Sequence, residues 1–245
     1  MSVLPISFGA AGNPPLILVH DISGSSFPYV PFAMDPSLSQ YTIYGISALS
    51  EPPSSQRFEY SSVSAWARAY ADLIESVLSE ELGADGRVIL GGWSLGGILA
   101  AEIARIFAAR SESRIQVVGL VLIDTYAPWH ELLRTGPRGL EVGGREIESA
   151  YFTPAELTRI GNLLSSTKRT EWPGMDHTQC PAWLITPTVS GFNGLDEWFD
   201  TKPGRVRQIG QGKDGCDHFS MMDPTAGWIQ EVIAGISDAI EEFRK

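Results

Sequence analysis

The segment Gly92-Trp93-Ser94-Leu95-Gly96 decides how the rest of this chain is interpreted. The apolar run 88–90 precedes it and small and apolar residues follow it, which predicts a strand, a sharp turn and a helix. Such a turn strains the serine backbone, and the residues two positions away on each side must be small so that strand and helix can pass closely. Gly92 and Gly96 meet this requirement. Ser94 is therefore predicted to be the exposed nucleophile of a strand–turn–helix elbow.

Apolar runs that alternate with helical patterns surround this elbow. The predicted strands cover 15–20, 41–46, 87–90, 116–123, 181–186 and 205–209. Helical periodicity begins at Val63, resumes after Ser94 and returns in a last helix that we expect to open at Asp223-Pro224. The alternation predicts an α/β fold with a mostly parallel central sheet and helices on both faces.

The composition limits the kinds of protein that this chain can be. Its 245 residues are 43% hydrophobic and 19% charged, which is typical of a globular protein, and we expect a single domain over 1–245. No apolar run approaches the roughly 20 residues of a membrane span, and the first residues do not resemble a secretion signal. The net charge of −11 argues against nucleic acid as a partner. Two cysteines are too few for a disulfide framework, so the expected location is the cytoplasm.

The stretch from Thr125 to Cys180 interrupts the alternation with prolines, glycines and aromatic residues. An insertion of this length at the edge of a sheet where ligands bind is typical of a functional cover. We therefore predict a lid over about 125–180. Its aromatic residues are expected to line a substrate cavity: Tyr126, Trp129, Tyr151 and Phe152.

A serine nucleophile at neutral pH needs a base, and the chain has four histidines. His218 follows the last predicted strand and completes the chain order Ser, Asp, His that is typical of α/β-hydrolases, so it is the predicted base. His177 precedes a strand instead of following one, and His130 falls within the lid. His20 is expected to be a supporting polar group at the end of a strand.

Two aspartates are candidates for the acid that orients this base. Asp124 directly follows the strand after the nucleophile helix, at the edge of the sheet where Ser94 emerges. Asp196 comes some residues after a later strand, in a glycine-containing loop, so its position is less defined. The sequence favours Asp124.

An acyl-serine mechanism also needs donors for the developing oxyanion. The backbone N–H of Leu95, at the N-terminus of the nucleophile helix, is the first candidate. The loop after the strand at 15–20 is expected to lie beside the elbow, and the N–H of Ile22 is the candidate second donor. The sequence contains no metal motif and no dinucleotide fingerprint, and no cofactor is expected.

Three segments together resemble the thioesterase domains that release products from polyketide synthases and nonribosomal peptide synthetases, in particular those of fungal synthetases. They are Gly91–Gly97, Leu120–Asp124 and Asp217–Met221. The resemblance implies an α/β-hydrolase fold with Ser94, Asp124 and His218 as the catalytic residues. It also implies a substrate carried on the phosphopantetheine of a partner, which is an acyl or peptidyl carrier protein or a parent synthetase. The sequence departs from many relatives at His20-Asp21-Ile22, where they carry a proline-containing loop.

Three functions are compatible with these residues. The first is a thioesterase that forms an acyl-serine and releases the chain by hydrolysis or by intramolecular cyclisation or condensation. The second is a small-molecule carboxylesterase or lipase of the same fold. The third, a catalytically inactive binding module, is disfavoured because Ser94, Asp124 and His218 are all present.

Overall fold

The computed structural model describes residues 1–48, 60–78, 80–82, 86–127, 133–136, 139–142, 145–146, 152–167, 180–188, 205–211 and 215–244. The strands are β1 Ser2–Ser7, β2 Leu16–Val19, β3 Ile43–Ser47, β4 Arg87–Trp93, β5 Gln116–Ile123, β6 Leu133–Gly136, β7 Gly139–Val142, β8 Arg145–Glu146, β9 Ala182–Pro187 and β10 Arg205–Ile209. The helices are α1 Val30–Ala33, α2 Val63–Leu78, α3 Leu95–Ala109, α4 Pro154–Ser166 and α5 Ile229–Phe243.

Seven of these strands form the central sheet, in the order β1-β3-β2-β4-β5-β9-β10. All neighbouring pairs are parallel except β1 and β3, which are antiparallel. The mostly parallel sheet predicted from the apolar runs is confirmed. Strand β1 was not predicted, because it is a half-exposed edge strand without the continuous apolar run of a buried strand.

Helices cover both faces of the sheet. On β2, Ile17 and Val19 pack into a cluster with α2, α3 and α4, whereas Leu16 and Leu18 pack on the opposite face with α1 and α5. All four side chains are fully buried. A strand buried on both faces has no polar side, which explains why its sequence is a continuous apolar run.

The register of the sheet brings the ends of three neighbouring strands together. Trp93 pairs with Ile123, and Ile123 pairs with Ile185. The next residue on each strand continues this alignment: Ser94 N donates to Ile123 O at 2.9 Å, and Asp124 N donates to Ile185 O at 2.7 Å. Ser94, Asp124 and Thr186 therefore lie side by side at one edge of the sheet.

The insertion has secondary structure of its own in its described part. Strands β6, β7 and β8 form a small antiparallel sheet. Helix α4 begins with a capping box between Thr153 and Glu156. Its buried side chains, Leu157, Ile160 and Leu164, belong to the core cluster of α2 and α3. Part of the insertion is thus packed into the body of the protein.

The start of the last helix was predicted too early. Helix α5 begins at Ile229 and not at Asp223, because a 3-10 turn covers Ser220–Met222 and Asp223 caps a separate turn through the N–H of Thr225 at 2.8 Å. Gly227, with φ +80, then redirects the chain. In the part of the chain that the structure describes, no helix has the length and apolar character needed to cross a bilayer.

Candidate active site

Ser94 occupies a strained turn between β4 and α3. Its φ of 55° and ψ of −120° lie in a region that residues other than glycine rarely adopt. A Cβ on Gly92 would lie 2.4 Å from the carbonyl carbon of Gly96, and a Cβ on Gly96 would lie 2.1 Å from Val19 O. The predicted need for small residues on both sides of the serine is confirmed.

Asp124 is fully buried and has a positive φ of 36°, a conformation that residues other than glycine rarely adopt. Its Oδ2 accepts a hydrogen bond from His218 Nδ1 at 2.7 Å. Its Oδ1 accepts one from Thr186 Oγ1 at 2.7 Å, and the hydroxyl of Tyr126 approaches Oδ2 at 3.4 Å. These donors hold a buried carboxylate in one orientation, with one oxygen directed at the histidine.

His218 is 8% exposed and lies among three aromatic rings, with centroids 5.3 Å from Trp93, 5.8 Å from Tyr126 and 5.0 Å from Phe219. Because a carboxylate only accepts hydrogen bonds, the bond to Asp124 fixes Nδ1 as the protonated nitrogen and leaves Nε2 free to act as a base.

The contact between Trp93 and His218 places the imidazole next to the elbow, since Ser94 follows Trp93 in the chain. Within the described residues, Ser94 Oγ makes no hydrogen bond to His218. In free enzymes this bond is often long and tightens only when substrate binds. The sequence-predicted residues Ser94, Asp124 and His218 thus lie at one edge of the sheet, with the acid–base pair already joined.

The two predicted oxyanion donors belong to segments that touch. Leu95 is the first residue of α3, so its N–H has no acceptor within the helix. Ile22 lies inside a turn that is closed by Gly24 N donating to Asp21 O at 3.0 Å, a bond that does not use the Ile22 N–H. The close approach of Gly96 to Val19 O packs the start of α3 against the end of β2, which leads into this turn.

His20 is a buried polar group, as expected, and its environment differs from that of His218. It is fully buried, its Nδ1 donates to the backbone carbonyl of Asp21 at 2.6 Å, and its Nε2 accepts from the hydroxyl of Tyr70 at 2.5 Å. Burial lowers the pKa of His20 to about 4, so the imidazole is neutral at physiological pH. The remaining candidates for the base, His130 and His177, and for the acid, Asp196, lie outside the described residues.

Of the aromatic residues predicted to line the lid, Tyr126 and Phe152 are described, and Trp129 and Tyr151 lie outside the described residues. Tyr126 is 4% exposed and contacts both Asp124 and His218. Phe152 is also buried and packs with its ring centroid 6.3 Å from that of His20. Tyr126 therefore lies at the acid–base pair, and Phe152 lies against His20.

The structure adds residues that the sequence did not single out. Thr186 orients Asp124, and the feature of the sequence that could have identified it is a polar residue at the end of an apolar strand. Asp21 is 6% exposed beside the elbow; its Oδ1 accepts from Ser23 N and Oγ, and burial raises the pKa of its carboxyl.

Arg145 of β8 donates to Asp217 Oδ2 at 3.1 Å and lies 5.1 Å from the Phe219 ring, so the insertion contacts both neighbours of His218. No local pattern identifies such a contact.

Among the described residues, no group of three or more His, Cys, Asp or Glu side chains has an arrangement that fits a metal ion. The side chains that the structure brings to this edge of the sheet are a hydroxyl, an imidazole and a carboxylate.

Comparison with known sequences matches this chain to one family and to several thioesterases. The model of the alpha/beta hydrolase family matches residues 16–234. Thioesterase frbD from Dothideomycetidae sp. (strain 11243) is 34% identical over an alignment of 264 positions, which covers 98% of this chain and 92% of that protein. A probable thioesterase from Gibberella zeae is 34% identical over 122 residues, which cover 50% of this chain but only 28% of that protein.

Solved structures share the fold at low sequence identity. The NocB thioesterase domain, solved as a covalent complex with a fluorophosphonate nocardicin G analog, has a TM-score of 0.68 and 20% identity, with both chains covered completely. A carboxylesterase structure from Nitrososphaera gargenis has a TM-score of 0.66 and 12% identity, covering 98% of this chain and 96% of that one. Thioesterases and esterases thus have the same fold, and the fold alone does not separate them.

Proposed function

Since this chain belongs to the alpha/beta hydrolase family and is related to thioesterases of that fold, we propose that it is a serine thioesterase acting on carrier-bound acyl chains. The proposed substrate is a polyketide or peptidyl chain on the phosphopantetheine thioester of a carrier protein or parent synthetase. The observation that supports serine catalysis most is the bond between His218 Nδ1 and Asp124 Oδ2 at 2.7 Å, beside the elbow of Ser94, and the similarity to thioesterase frbD supports a thioester substrate.

In the first half of the proposed reaction, the chain is transferred to the serine. His218 Nε2 takes the proton of Ser94 Oγ as this oxygen attacks the thioester carbonyl. The N–H groups of Leu95 and Ile22 bind the resulting oxyanion, and the Asp124 carboxylate stabilises the imidazolium. His218 then gives its proton to the leaving sulfur, so that pantetheine departs as a thiol and the acyl group remains on Ser94.

In the second half, His218 acts as a base again. It removes a proton from water, which gives a free acid, or from a nucleophile of the acyl chain itself, which gives a ring or a condensation product. The nucleophile attacks the ester, and the proton returns to Ser94 Oγ. We place Tyr126, Trp129, Tyr151 and Phe152 in contact with the acyl chain, on the basis of their aromatic character within the insertion and the position of Tyr126 beside His218.

A carboxylesterase is the second candidate, because the Nitrososphaera gargenis carboxylesterase has a similar fold and the fold is compatible with either activity. Both enzymes form the same acyl-serine, so only the acyl donor distinguishes them. The pantetheine arm and the carrier surface offer binding energy that a simple ester lacks, and this energy can place the carbonyl between Ser94 and the oxyanion donors.

The test presents one acyl group on three donors: a carrier protein, free pantetheine and ethanol. We expect kcat/KM for the carrier-bound thioester to exceed that for the ethyl ester by about 10² or more. The Ser94→Ala variant gives the background rate. Equal efficiency with the ethyl ester would favour the carboxylesterase. Failure of a fluorophosphonate to label Ser94 would instead favour the inactive binding module.

A further inference from the structure

Tyr29 contacts the main chain of two strands at the point where each of them leads into the site. Its side chain is fully buried and packs against Phe32, with ring centroids 5.7 Å apart. Its hydroxyl donates to Val19 O at 2.6 Å and accepts from Trp93 N at 2.8 Å. Val19 is the last residue of β2, and Trp93 is the residue before Ser94.

The Val19 carbonyl and the Trp93 N–H face each other at the last rung between β2 and β4. Ile89 N donates to Pro15 O at 2.9 Å, and rungs of a parallel ladder advance two residues at a time. The register, which ends with Val19 opposite Gly92, therefore brings Trp93 N–H and Val19 C=O to the final rung. The Tyr29 hydroxyl bridges this pair at the position where the strands end.

Beyond this rung the two strands lead to the two proposed oxyanion donors. Strand β4 enters the strained turn at Ser94, and β2 continues into the turn that contains Ile22. The Val19 carbonyl also abuts the nucleophile helix, since a Cβ on Gly96 would lie 2.1 Å from it. One carbonyl therefore contacts both the helix that carries Leu95 and the Tyr29 hydroxyl, at the end of the strand that leads to Ile22.

We propose that Tyr29 is a positioning residue whose hydroxyl fixes the separation and orientation of the Ser94 elbow relative to the Ile22 turn. This inference rests on the proposed function, because it assumes that the N–H groups of Leu95 and Ile22 bind an oxyanion. Burial raises the pKa of the Tyr29 hydroxyl, so it stays protonated and keeps its bond to Val19. Stabilisation of an oxyanion depends on donors that are held in place before the reaction begins.

A purely structural role would predict something different, and a second tyrosine provides the control. Tyr41 belongs to the same core cluster, is 1% exposed, and its hydroxyl accepts from Arg244 Nη1 at 3.3 Å. Tyr41→Phe and Tyr29→Phe each remove one buried hydroxyl from this cluster. Only the change at Tyr29 removes a contact to β4, the strand that leads into Ser94.

The experiment measures the rate at which a small fluorophosphonate inactivates the full chain, together with kcat and KM for a thioester and the denaturant midpoint. The probe reports attack by Ser94 and oxyanion binding without engaging a carrier. We expect Tyr29→Phe to lower the inactivation rate and kcat by about 10- to 100-fold with little change in KM, because small displacements of reacting groups have effects of this size. The pH at which the rate is half-maximal should stay unchanged, since the His218–Asp124 pair is untouched. Tyr41→Phe should react like the unaltered protein.

Rates are divided by the folded fraction obtained from the denaturation curve, so partial unfolding does not count as lost positioning. Inactivation of Tyr29→Phe at the unaltered rate, or an equal slowing in Tyr41→Phe, would overturn the inference while leaving the proposed function intact. If the unaltered protein is not labelled at Ser94, the proposed function itself fails.

Discussion

The regions around His218 and His20 differ in one respect that decides what each imidazole can do. Both histidines follow a strand of the sheet, both are buried, and each has Nδ1 fixed as a donor by an oxygen. The oxygen is a carboxylate at His218 and a backbone carbonyl at His20. A carboxylate stabilises an imidazolium, whereas neutral partners leave burial to dominate, which lowers the pKa of His20 to about 4. An anionic partner, and not burial or strand position, distinguishes a candidate base.

A carboxylate also lies near His20, but it is directed elsewhere. The side chain of Asp21 accepts from Ser23 Oγ at 2.5 Å and from Ser23 N at 3.2 Å, while its backbone carbonyl faces the imidazole. Tyr70 fills the other side of His20 with a neutral hydroxyl. Proximity in sequence therefore does not pair a histidine with an acid; the direction of the side chain does.

The strongest test converts the His218 environment into one like that of His20. Asp124→Asn replaces the anion with a neutral group, which can hold the imidazole in the wrong tautomer and cannot stabilise its charged form. We expect kcat to fall by about 10⁴-fold. Asp196→Asn, which changes the second candidate acid in the same way, should leave kcat near its original value. The reverse ranking would move the acid to the later loop.

The pH dependence of stability tests the His20 side of the comparison. The unfolded chain binds a proton at His20 near pH 6.5, whereas the folded protein does so only near pH 4. Between these values the unfolded state holds the extra proton, so the free energy of unfolding falls as the pH drops, by about 3 kcal/mol in total. Denaturant unfolding of the unaltered protein and His20→Gln at several pH values measures this contribution. An equal decline in both proteins would mean that His20 is not the group responsible.

The smallest expected effect concerns the contact between the insertion and the His218 loop. Arg145 is 62% exposed in its pair with Asp217, and such pairs contribute about 0–1 kcal/mol, so Arg145→Ala should change kcat/KM by no more than about fivefold. Arg205→Ala is the matched control, because Arg205 pairs with Glu242 and lies over the Trp183 ring. A change in kcat/KM that is shared by both variants would show that the contact at His218 has no specific effect.

Local sequence was sufficient for the elements that depend on short-range rules. Gly92 answers a steric need within five residues, since a Cβ there would meet Gly96, and the buried strands appear as apolar runs because both of their faces are covered. Asp124 was predicted as the acid because it directly follows such a strand. Each of these features depends on residues at neighbouring positions, so it can be recognised in the sequence without knowledge of the fold.

The tertiary structure decided everything that depends on direction and distance. It joins His218 to Asp124 across 94 positions of the chain, adds Thr186 to the same carboxylate, and turns Asp21 away from His20. It also places the Tyr29 hydroxyl on a rung between two strands and folds β1 onto the sheet as an edge strand. A hydrogen bond requires atoms within about 3 Å and a defined angle, and for distant residues the packing of the whole sheet sets both.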